Sequence, residues 1–341
     1  MKAIVLEGEP GKASVVYDRP FPQLRPGYML VDVKAVALNP TDWKHIDFAN
    51  VKKDTLCGCD FAGVVAKTGQ GYTKRWKVGD RVCGFAHGGN QLQHEDGAWA
   101  ETVAVKAQIA LKIPDHLSFQ DAASLPIGVF TCGQGMVQEM GLDWPNEERH
   151  RQEEHVLIYG GSSATGFLGI QFATLAGYRP ITTCSPHNFD LLQSLGAVTF
   201  DYNDPECVEK IKKHTNNKLR YAWDTISTDR TAKLCADVLI PGGSYGAILK
   251  IEAPRPDLKF TRSLGYTAMG EPVEKPNVSL PAQPKHLEFM GKWVQAVEEL
   301  LTNNKLKVHK VTVDHGLENV FKGLELMRRG KVSGEKLVYT L

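Results

Sequence analysis

The stretch that decides the fold runs from His155 to Ala173 and reads HVLIYGGSSATGFLGIQFA. A buried-strand pattern, a glycine-rich turn and a helix follow one another, which predicts a dinucleotide site in a doubly wound α/β sheet. Small residues let the backbone approach a pyrophosphate, and a helix N-terminus presents N–H groups and a positive dipole to it. A purely structural turn can have the same composition and is the alternative. The strand before the turn and the helix after it favour nucleotide binding. The candidate residues are Ser162, Ser163, Ala164, Thr165, Gly166 and Gly169.

One of these candidates departs from the usual pattern. Ser163 stands where the first glycine would be, which leaves the exact path of the turn open.

The end of the next predicted strand bears on the choice between NADH and NADPH. An NAD-specific site usually offers Asp or Glu to the ribose there, but this chain reads Thr183-Cys184-Ser185-Pro186-His187-Asn188. No carboxylate in that stretch repels a 2′-phosphate, so NADPH is predicted, although no adjacent Arg or Lys supports the choice. Tyr202 is a further candidate, either to hydrogen-bond the same phosphate or to pack on the adenine side of the cofactor. An ordinary helix-capping turn and an exposed loop tyrosine are the alternatives.

The chain changes character along its length. Short β-branched runs punctuated by Gly and Pro, up to about residue 113, predict irregular antiparallel β structure. Apolar runs then alternate with helical segments, which predicts a parallel sheet. The charged segment 146–154 is interpreted as a solvated connection. Prolines at 272, 276, 281 and 284 predict an extended surface connection rather than a paired strand.

Composition excludes several classes of protein. Lys plus Arg number 40 against 39 for Asp plus Glu, so no nucleic-acid or membrane-surface partner is expected. No apolar run approaches the roughly 18 residues of a membrane span. The 7 cysteines show no paired spacing, which favours a reducing compartment, the cytoplasm.

Four further segments of the chain carry a resemblance, and they are Ala37–Lys44, Gly58–Val65, Val78–Val82 and Leu326–Lys336. They resemble the medium-chain dehydrogenase/reductase superfamily, in particular its zinc-free, quinone-reductase-like branch. Within that branch, Tyr159–Gly166 and Thr183–Asn188 look like the trans-acting enoyl reductases that serve fungal polyketide synthases.

The resemblance implies a fold and a function. The fold is a chaperonin-10-like β domain, residues 1–124 and 276–341, with a Rossmann domain, residues 125–275, and a cleft where nicotinamide meets substrate. The activity is NADPH-dependent reduction of an α,β-unsaturated thioester bound through phosphopantetheine to the acyl carrier domain of a polyketide synthase. A free-standing NADPH:quinone or enone reductase and a non-catalytic NADPH sensor are the alternatives.

The resemblance also implies roles for individual residues. Lys44 and Thr131 match positions that line the nicotinamide cleft, so they are the candidates for orientation and enolate stabilisation. A surface lysine paired with Asp47 and a hydroxyl bonded within its own helix are the alternatives. The acid that protonates the α-carbon stays unassigned among Lys44, Thr131 and solvent.

Further residues are assigned to cofactor and substrate. The cofactor set adds Pro40, Thr41, Asp42, Trp43, Ile248, Leu249, Val332 and Ser333. The substrate set comprises Pro126, Ile127, Gly128, Val129, Phe130, Thr131, Cys132, Gly133, Met269, Gly270 and Glu271.

No metal is expected. Zinc-dependent relatives place a Cys where Asn39 or Pro40 lies and a His where Cys59 lies, whereas a catalytic zinc needs three protein ligands. Because conjugate reduction can proceed with hydrogen-bond donors alone, these departures favour C=C reduction. A monomer is also expected, because Pro272 and Pro276 follow the last strand of the parallel sheet and prolines weaken edge pairing.

Overall fold

The structure is a computed structural model that describes residues 1–48, 51–72, 74–145, 154–275 and 278–341. The strands, in chain order, are β1 (Ala3–Leu6), β2 (Ala13–Val16), β3 (Tyr28–Ala37), β4 (Thr55–Leu56), β5 (Asp60–Thr68), β6 (Arg81–Phe85), β7 (Thr102–Lys106), β8 (Leu111–Lys112), β9 (His155–Tyr159), β10 (Arg179–Cys184), β11 (Val198–Asp201), β12 (Tyr221–Asp224), β13 (Ser244–Ala247), β14 (Lys259–Arg262), β15 (Val273–Lys275), β16 (Val278–Leu280), β17 (Val311–His315) and β18 (Lys336–Thr340). The helices are α1 (Pro40–Phe48), α2 (Phe119–Ala123), α3 (Pro126–Cys132), α4 (Ala164–Leu175), α5 (Phe189–Gln193), α6 (Cys207–His214), α7 (Asp229–Val238), α8 (Pro284–Thr302) and α9 (Val320–Arg328).

The chain forms two compact units, residues 1–127 with 266–341 and residues 128–265. We call the first the barrel unit and the second the nucleotide unit. The first boundary between the two units, between residues 127 and 128, lies within α3 and close to the predicted boundary at 124/125. The second boundary, between residues 265 and 266, lies ten residues before the predicted boundary at 275/276. The intervening residues belong to the barrel unit, because Tyr266 hydrogen-bonds Thr41 and Glu271 hydrogen-bonds Tyr28.

The barrel unit is built from mostly antiparallel strands. Its largest sheet has the order β17-β18-β3-β5-β6-β8, with β7 also paired to β3. The C-terminal strand β18 therefore completes the sheet by lying beside β3. The core includes Ile4, Phe61, Trp76, Trp99 and Leu324, all at most 1% exposed. This architecture confirms the predicted chaperonin-10-like domain.

The nucleotide unit is a six-stranded parallel sheet of order β11-β10-β9-β12-β13-β14. This is the doubly wound order in which the first strand in the chain, β9, is central. Four of its five residues are buried, as expected for a parallel strand covered on both faces. The predicted strand His155–Tyr159 is confirmed to the residue, and the α/β fold class is confirmed with it.

Trp223 explains part of the glycine pattern in this unit. Its fully buried indole lies where a Cβ on Gly135 or Gly169 would sit, 2.6 and 2.8 Å away. Gly135 belongs to a π-helical segment, Gly133–Glu139, that continues α3. The small residues thus make room for one large side chain under helix α4.

The proline-rich connection differs from the prediction of an unpaired segment. Val273–Lys275 and Val278–Leu280 pair as an antiparallel hairpin, β15 and β16. Pro272 and Pro281 flank the paired residues, and Pro284 starts helix α8, so these prolines remove no ladder donor. Pro276 lies outside the described residues, as does nearly all of the charged segment 146–154.

Two further observations concern the whole described chain. All 7 cysteines are unpaired thiols and buried. Among the described residues, none of the helices has the length and hydropathy needed to cross a bilayer.

Candidate functional site

The turn between β9 and α4 brings backbone and helix into close approach. Gly160 has a φ of +80°, which L side chains rarely adopt. A Cβ on Gly166 would lie 2.3 Å from the carbonyl oxygen of Gly160. The helix therefore starts directly against the strand end, and this geometry fits a pyrophosphate at the helix N-terminus.

The backbone angle and hydrogen bonds of Ser163 account for a serine where the usual pattern has a glycine. Its φ of −69° is one that any residue can adopt, and its Oγ accepts from the N–H of Gly166 at 2.9 Å as the helix N-cap. The same Oγ lies 3.0 Å from Oγ1 of Thr225, which donates to the carbonyl of Tyr159 at 2.7 Å. The serine thus fixes the first turn of α4. The N–H groups of Ala164 and Thr165 precede the helical ladder and have no intrahelical acceptor.

The predicted 2′-phosphate residues come together in part. Ser185 Oγ lies 3.0 Å from Tyr202 OH, although β10 and β11 present them from different strand ends. His187 is exposed and Asn188 is buried. Pro186 begins a 3₁₀ turn with Ser185 at its N-cap. Asn188 Nδ2 lies 3.2 Å from His187 Nε2, so the group forms two separate contacting pairs.

Sequence reasoning missed a cation that contacts the backbone of Tyr202. Arg230, in the first turn of α7, donates from Nη2 to the Tyr202 carbonyl at 3.4 Å and to Asn203 Oδ1 at 3.3 Å. Its guanidinium is exposed, so it is available to an anion. No signal in the linear sequence joins Arg230 to Ser185, because the parallel sheet brings their strand ends together.

A second missed residue is the fully buried Asp224, at the end of β12. Its Oδ1 accepts from the N–H groups of Ile226 and Ser227 at 2.9 and 2.8 Å. Ser227, with a φ of +58°, then accepts from the N–H of Ile248 at 2.9 Å. Asp224 therefore shapes the loop that positions Ile248, next to the 40% exposed Leu249. The signal in the sequence that could have revealed Asp224 is a carboxylate at the carboxyl end of a predicted parallel strand.

In the barrel unit, the predicted cofactor residues start helix α1. Pro40 is exposed, Thr41 and Trp43 are half-buried, and Asp42 is 2% exposed. Asp42 Oδ2 accepts from the N–H of Asn39 at 2.7 Å, so its side chain anchors the helix start. Burial, with the charge of Asp60, raises the pKa of Asp42 to about 7.

Lys44 follows on the same helix. It is half-buried, its Nζ lies 5.6 Å from the ring centre of Trp43, and burial lowers its pKa. Asp47, the alternative ion-pair partner, instead accepts two hydrogen bonds from Arg328, at 2.7 and 2.8 Å. Thr131 is half-buried in the nucleotide unit. The joint role of Lys44 and Thr131 stays a prediction.

The remaining predicted residues are placed as follows. Val332 packs against the barrel core and Ser333 is exposed. Within the substrate set, Thr131 and Ile127 are half-buried, and Pro126, Gly128, Val129, Phe130, Cys132 and Gly133 are buried. Met269 is buried, and Gly270 has a φ of +72°. Glu271 accepts from Tyr28 OH at 2.8 Å and from Lys106 Nζ at 2.5 Å.

The region of the predicted zinc departures holds a buried polar network. Lys336 Nζ donates to Asp60 Oδ2 at 3.1 Å and to Asn39, whose amide donates to the same Asp60 oxygen at 3.0 Å. Burial, with the charge of Asp42, raises the pKa of Cys59 well above its usual range. Among the described residues, no group of three or more His, Cys, Asp or Glu side chains is placed to hold a metal ion.

Comparisons with known proteins agree with this architecture. Residues 25–115 match the alcohol dehydrogenase GroES-like domain family. The chain is 41% identical over 357 aligned positions to the trans-enoyl reductase resD of Aspergillus sclerotiorum, covering 99% of each chain. It is 48% identical over 272 positions to the trans-enoyl reductase TOXD of Cochliobolus carbonum, covering 79% of this chain and 91% of the relative. The crystal structure of CurK enoyl reductase shares the fold, with a TM-score of 0.77 at 21% identity and 99% coverage of each chain.

Proposed function

The chain belongs to the trans-enoyl reductases of the medium-chain dehydrogenase/reductase superfamily, and from that premise we propose that it is an NADPH-dependent enoyl reductase of polyketide biosynthesis. Its substrate is the α,β-unsaturated thioester bound through phosphopantetheine to the acyl carrier domain of a synthase. The observation that supports this proposal most directly is identity of 41% across essentially the full length of a trans-enoyl reductase.

The nucleotide unit supports the cofactor assignment. A bound reduced nicotinamide supplies a hydride for the β-carbon of the substrate. The turn at Gly160–Gly166 holds the pyrophosphate through first-turn N–H groups, with Ser163 fixing the turn. Ile248 and Leu249 border the nicotinamide end, held by the Asp224 loop.

Preference for NADPH rests on Ser185, Tyr202 and Arg230. The two hydroxyls lie 3.0 Å apart, and the exposed guanidinium is bonded to the backbone carbonyl of Tyr202. An exposed Arg held at the backbone of Tyr202 suits a phosphate, because charge-assisted hydrogen bonds to a guanidinium are strong and directional. His187 and Asn188 border the same site.

The groups proposed to act on the substrate are Lys44 of the barrel unit and Thr131 of the nucleotide unit. As hydride reaches the β-carbon, negative charge develops on the thioester carbonyl oxygen. Lys44 and Thr131 orient this oxygen and stabilise the enolate by donating hydrogen bonds. Pro40, Thr41, Trp43, Val332 and Ser333 contact the cofactor from the barrel unit. Met269, Gly270 and Glu271 border the acyl pocket.

The first test compares cofactors and substrates. We expect NADPH oxidation with a short α,β-unsaturated acyl thioester of pantetheine, faster than with NADH and unchanged by a chelator. Reduction of 9,10-phenanthrenequinone alone would favour the free-standing quinone reductase, and tight NADPH binding without any turnover would favour the sensor.

The second test isolates the 2′-phosphate contact. Replacing Arg230→Ala should raise the Kd for NADPH about tenfold, corresponding to about 1.4 kcal/mol, and leave the Kd for NADH unchanged. Arg220→Ala removes an equal charge from another exposed position of the nucleotide unit and is the matched control. Equal effects of the two variants on NADPH would contradict the assignment of Arg230.

We also propose that the protein acts as a monomer in a reducing cytoplasm, in agreement with its 7 unpaired, buried thiols. Light scattering at micromolar concentration should give one chain per particle. A stable dimer would contradict this.

A further inference from the structure

The barrel unit contains a chain of buried and half-buried polar side chains, of which Lys275, His45 and Tyr266 take no part in the function proposed so far. Lys275 Nζ lies 2.8 Å from Nε2 of His45. The same nitrogen lies 3.0 Å from Tyr266 OH, and Tyr266 OH lies 2.6 Å from Thr41 Oγ1. The four groups therefore form one continuous path of hydrogen-bonding contacts from Lys275 to Thr41.

Lys275 contacts an imidazole rather than a carboxylate. In the same unit, the buried Lys336 is paired with the carboxylate of Asp60 at 3.1 Å, and the half-buried Lys106 with that of Glu271 at 2.5 Å. Lys275 instead contacts an imidazole nitrogen, and its Nζ lies 3.8 Å from the ring centre of Tyr266. Within the described ranges, none of the carboxylates lies within ion-pair distance of it. A desolvated amine without a carboxylate partner holds its proton weakly, which suits a proton donor more than a structural anchor.

Burial and neighbouring charges lower the pKa values of both Lys275 and His45. Burial lowers the pKa of Lys275 to about 8, against a smaller opposing effect of Cys59. Burial, with the charges of Lys275 and His87, lowers the pKa of His45.

The other groups around the amine stay in their protonated or neutral forms. Burial raises the pKa values of Tyr266 and Cys59 well above their usual ranges. Burial also lowers the pKa of His87, whose ring lies 4.2 Å from that of Tyr266. Asp42, whose pKa is raised to about 7, completes the set of ionisable groups facing the chain.

We propose that Lys275 is the proton reservoir of the reduction and that its proton reaches the substrate through His45, Tyr266 and Thr41. This inference rests on the proposed enoyl reductase function, and it supplies the acid that the sequence leaves unassigned. Thr41 is half-buried at the start of α1, among the residues assigned to the cofactor face, so its hydroxyl is the delivering end.

The proton balance is simple. The hydride brings the electron pair for the new bond at the β-carbon, and the resulting enolate takes a proton at the α-carbon from Thr41 Oγ1. Thr41 is reprotonated by Tyr266 OH, and Tyr266 by a proton that passes from Lys275 Nζ to His45 Nε2 and on to the phenol oxygen. One N–H bond of Lys275 breaks, one C–H bond forms, and solvent restores the ammonium group.

The test combines kinetics with a measurement that needs no turnover. The kcat of thioester reduction is followed from pH 6 to 10 in wild type, Lys275→Met, Lys275→Arg and Tyr266→Phe, each checked for folding by circular dichroism and for NADPH Kd by fluorescence. Lys292→Met removes an exposed lysine on α8 and is the matched control. In parallel, ¹⁵N-histidine NMR records the His45 Nε2 shift against pH.

The expected results separate a proton path from a structural role. Wild type and Lys292→Met should lose kcat tenfold per pH unit above about 8, the pKa of Lys275. Lys275→Met should lower kcat at pH 7 at least tenfold, remove this alkaline fall and leave the NADPH Kd within twofold. Lys275→Arg keeps the positive charge but has no transferable proton, because a guanidinium stays protonated in proteins, so its kcat at pH 7 should be as low as that of Lys275→Met. Tyr266→Phe should lower kcat similarly while the His45 nitrogen still follows the titration of Lys275.

Two outcomes would overturn the inference in distinguishable ways. An alkaline fall that persists in Lys275→Met, in an enzyme that turns over, would refute the path while leaving the proposed function intact. No thioester reduction by wild type at any pH would refute the function and the inference with it.

Discussion

Gly166 offers the sharpest test of the cofactor turn. A Cβ at this position would lie 2.3 Å from the Gly160 carbonyl oxygen and 2.8 Å from Cα of Gly161. Both are backbone atoms, so no side-chain rotation can relieve the contact, and α4 must move away from the end of β9. Replacing Gly166→Ala should therefore strain the turn without changing any polar group.

The magnitude follows from two opposing effects. Overpacking of this kind costs about 1–3 kcal/mol, and the better helix propensity of alanine offsets at most about 1 kcal/mol. We expect a net loss of about 1–2 kcal/mol in the free energy of unfolding. Displacing the first-turn N–H groups removes charge-assisted hydrogen bonds worth about 1.5–3 kcal/mol each, so the NADPH Kd should rise at least about tenfold.

Urea unfolding followed by circular dichroism measures the first effect, and fluorescence titration with NADPH measures the second. Gly265→Ala is the matched control, because its Cβ would meet no atom within 4 Å, and it should change stability by less than about 0.5 kcal/mol. If Gly166→Ala matches this control in both stability and NADPH affinity, the close approach of strand and helix is refuted.

Two further predictions concern buried charges of the barrel unit. Lys336→Met leaves the fully buried carboxylate of Asp60 without a cation and should lower the free energy of unfolding in urea by about 3–5 kcal/mol. The double variant that adds Asp60→Asn should recover part of this loss. No recovery would show that the unpaired charge of Asp60 does not cause the loss of stability. Asp42 has a pKa raised to about 7 in the fold, so its contribution to stability is fully present below the pKa of the unfolded carboxyl, near 4, and is lost as the pH rises through 7. Asp42→Asn should remove that dependence, which urea titrations at pH 5 and 8 would detect as a smaller difference between the two pH values than in wild type.

The sequence predicts most of the fold because its strongest signals are local. The run His155–Tyr159 is buried on both faces of a parallel sheet, so its apolar pattern marks β9 without error. The antiparallel pair formed by Val273–Lys275 and Val278–Leu280 is not recognisable in the same way, because both strands are three residues long and proline neighbours suggest an unpaired segment. Short strands flanked by proline depend on tertiary contacts that a local pattern does not contain.

The candidate site is predictable only where its residues share one motif. Ser163 and Gly166 are adjacent enough for the pattern to reveal both. Arg230 lies 28 residues beyond its bonding partner Tyr202, and Lys275 lies 230 residues beyond His45. Contacts of this kind arise from strand order and from the return of the C-terminal segment to the barrel unit, so only the folded chain reveals them.

Lys275 and Lys336 of the barrel unit differ in what their charges do to the stability of the fold. The pKa of Lys275 is lowered in the fold, so its contribution to stability is present above the pKa of an unfolded lysine, near 10.5, and is lost as the pH falls through about 8. Holding this lysine charged at pH 7 therefore destabilises the fold, whereas pairing Lys336 with Asp60 neutralises a buried charge. Lys275→Met should be at least as stable as wild type at pH 7 and should lose its advantage at pH 10, whereas Lys336→Met should be less stable at pH 7. A residue that costs stability at neutral pH while lying in a hydrogen-bonded path to Thr41 has the properties expected of a functional group; a Lys275→Met protein that is less stable than wild type in urea at pH 7 would contradict this reasoning.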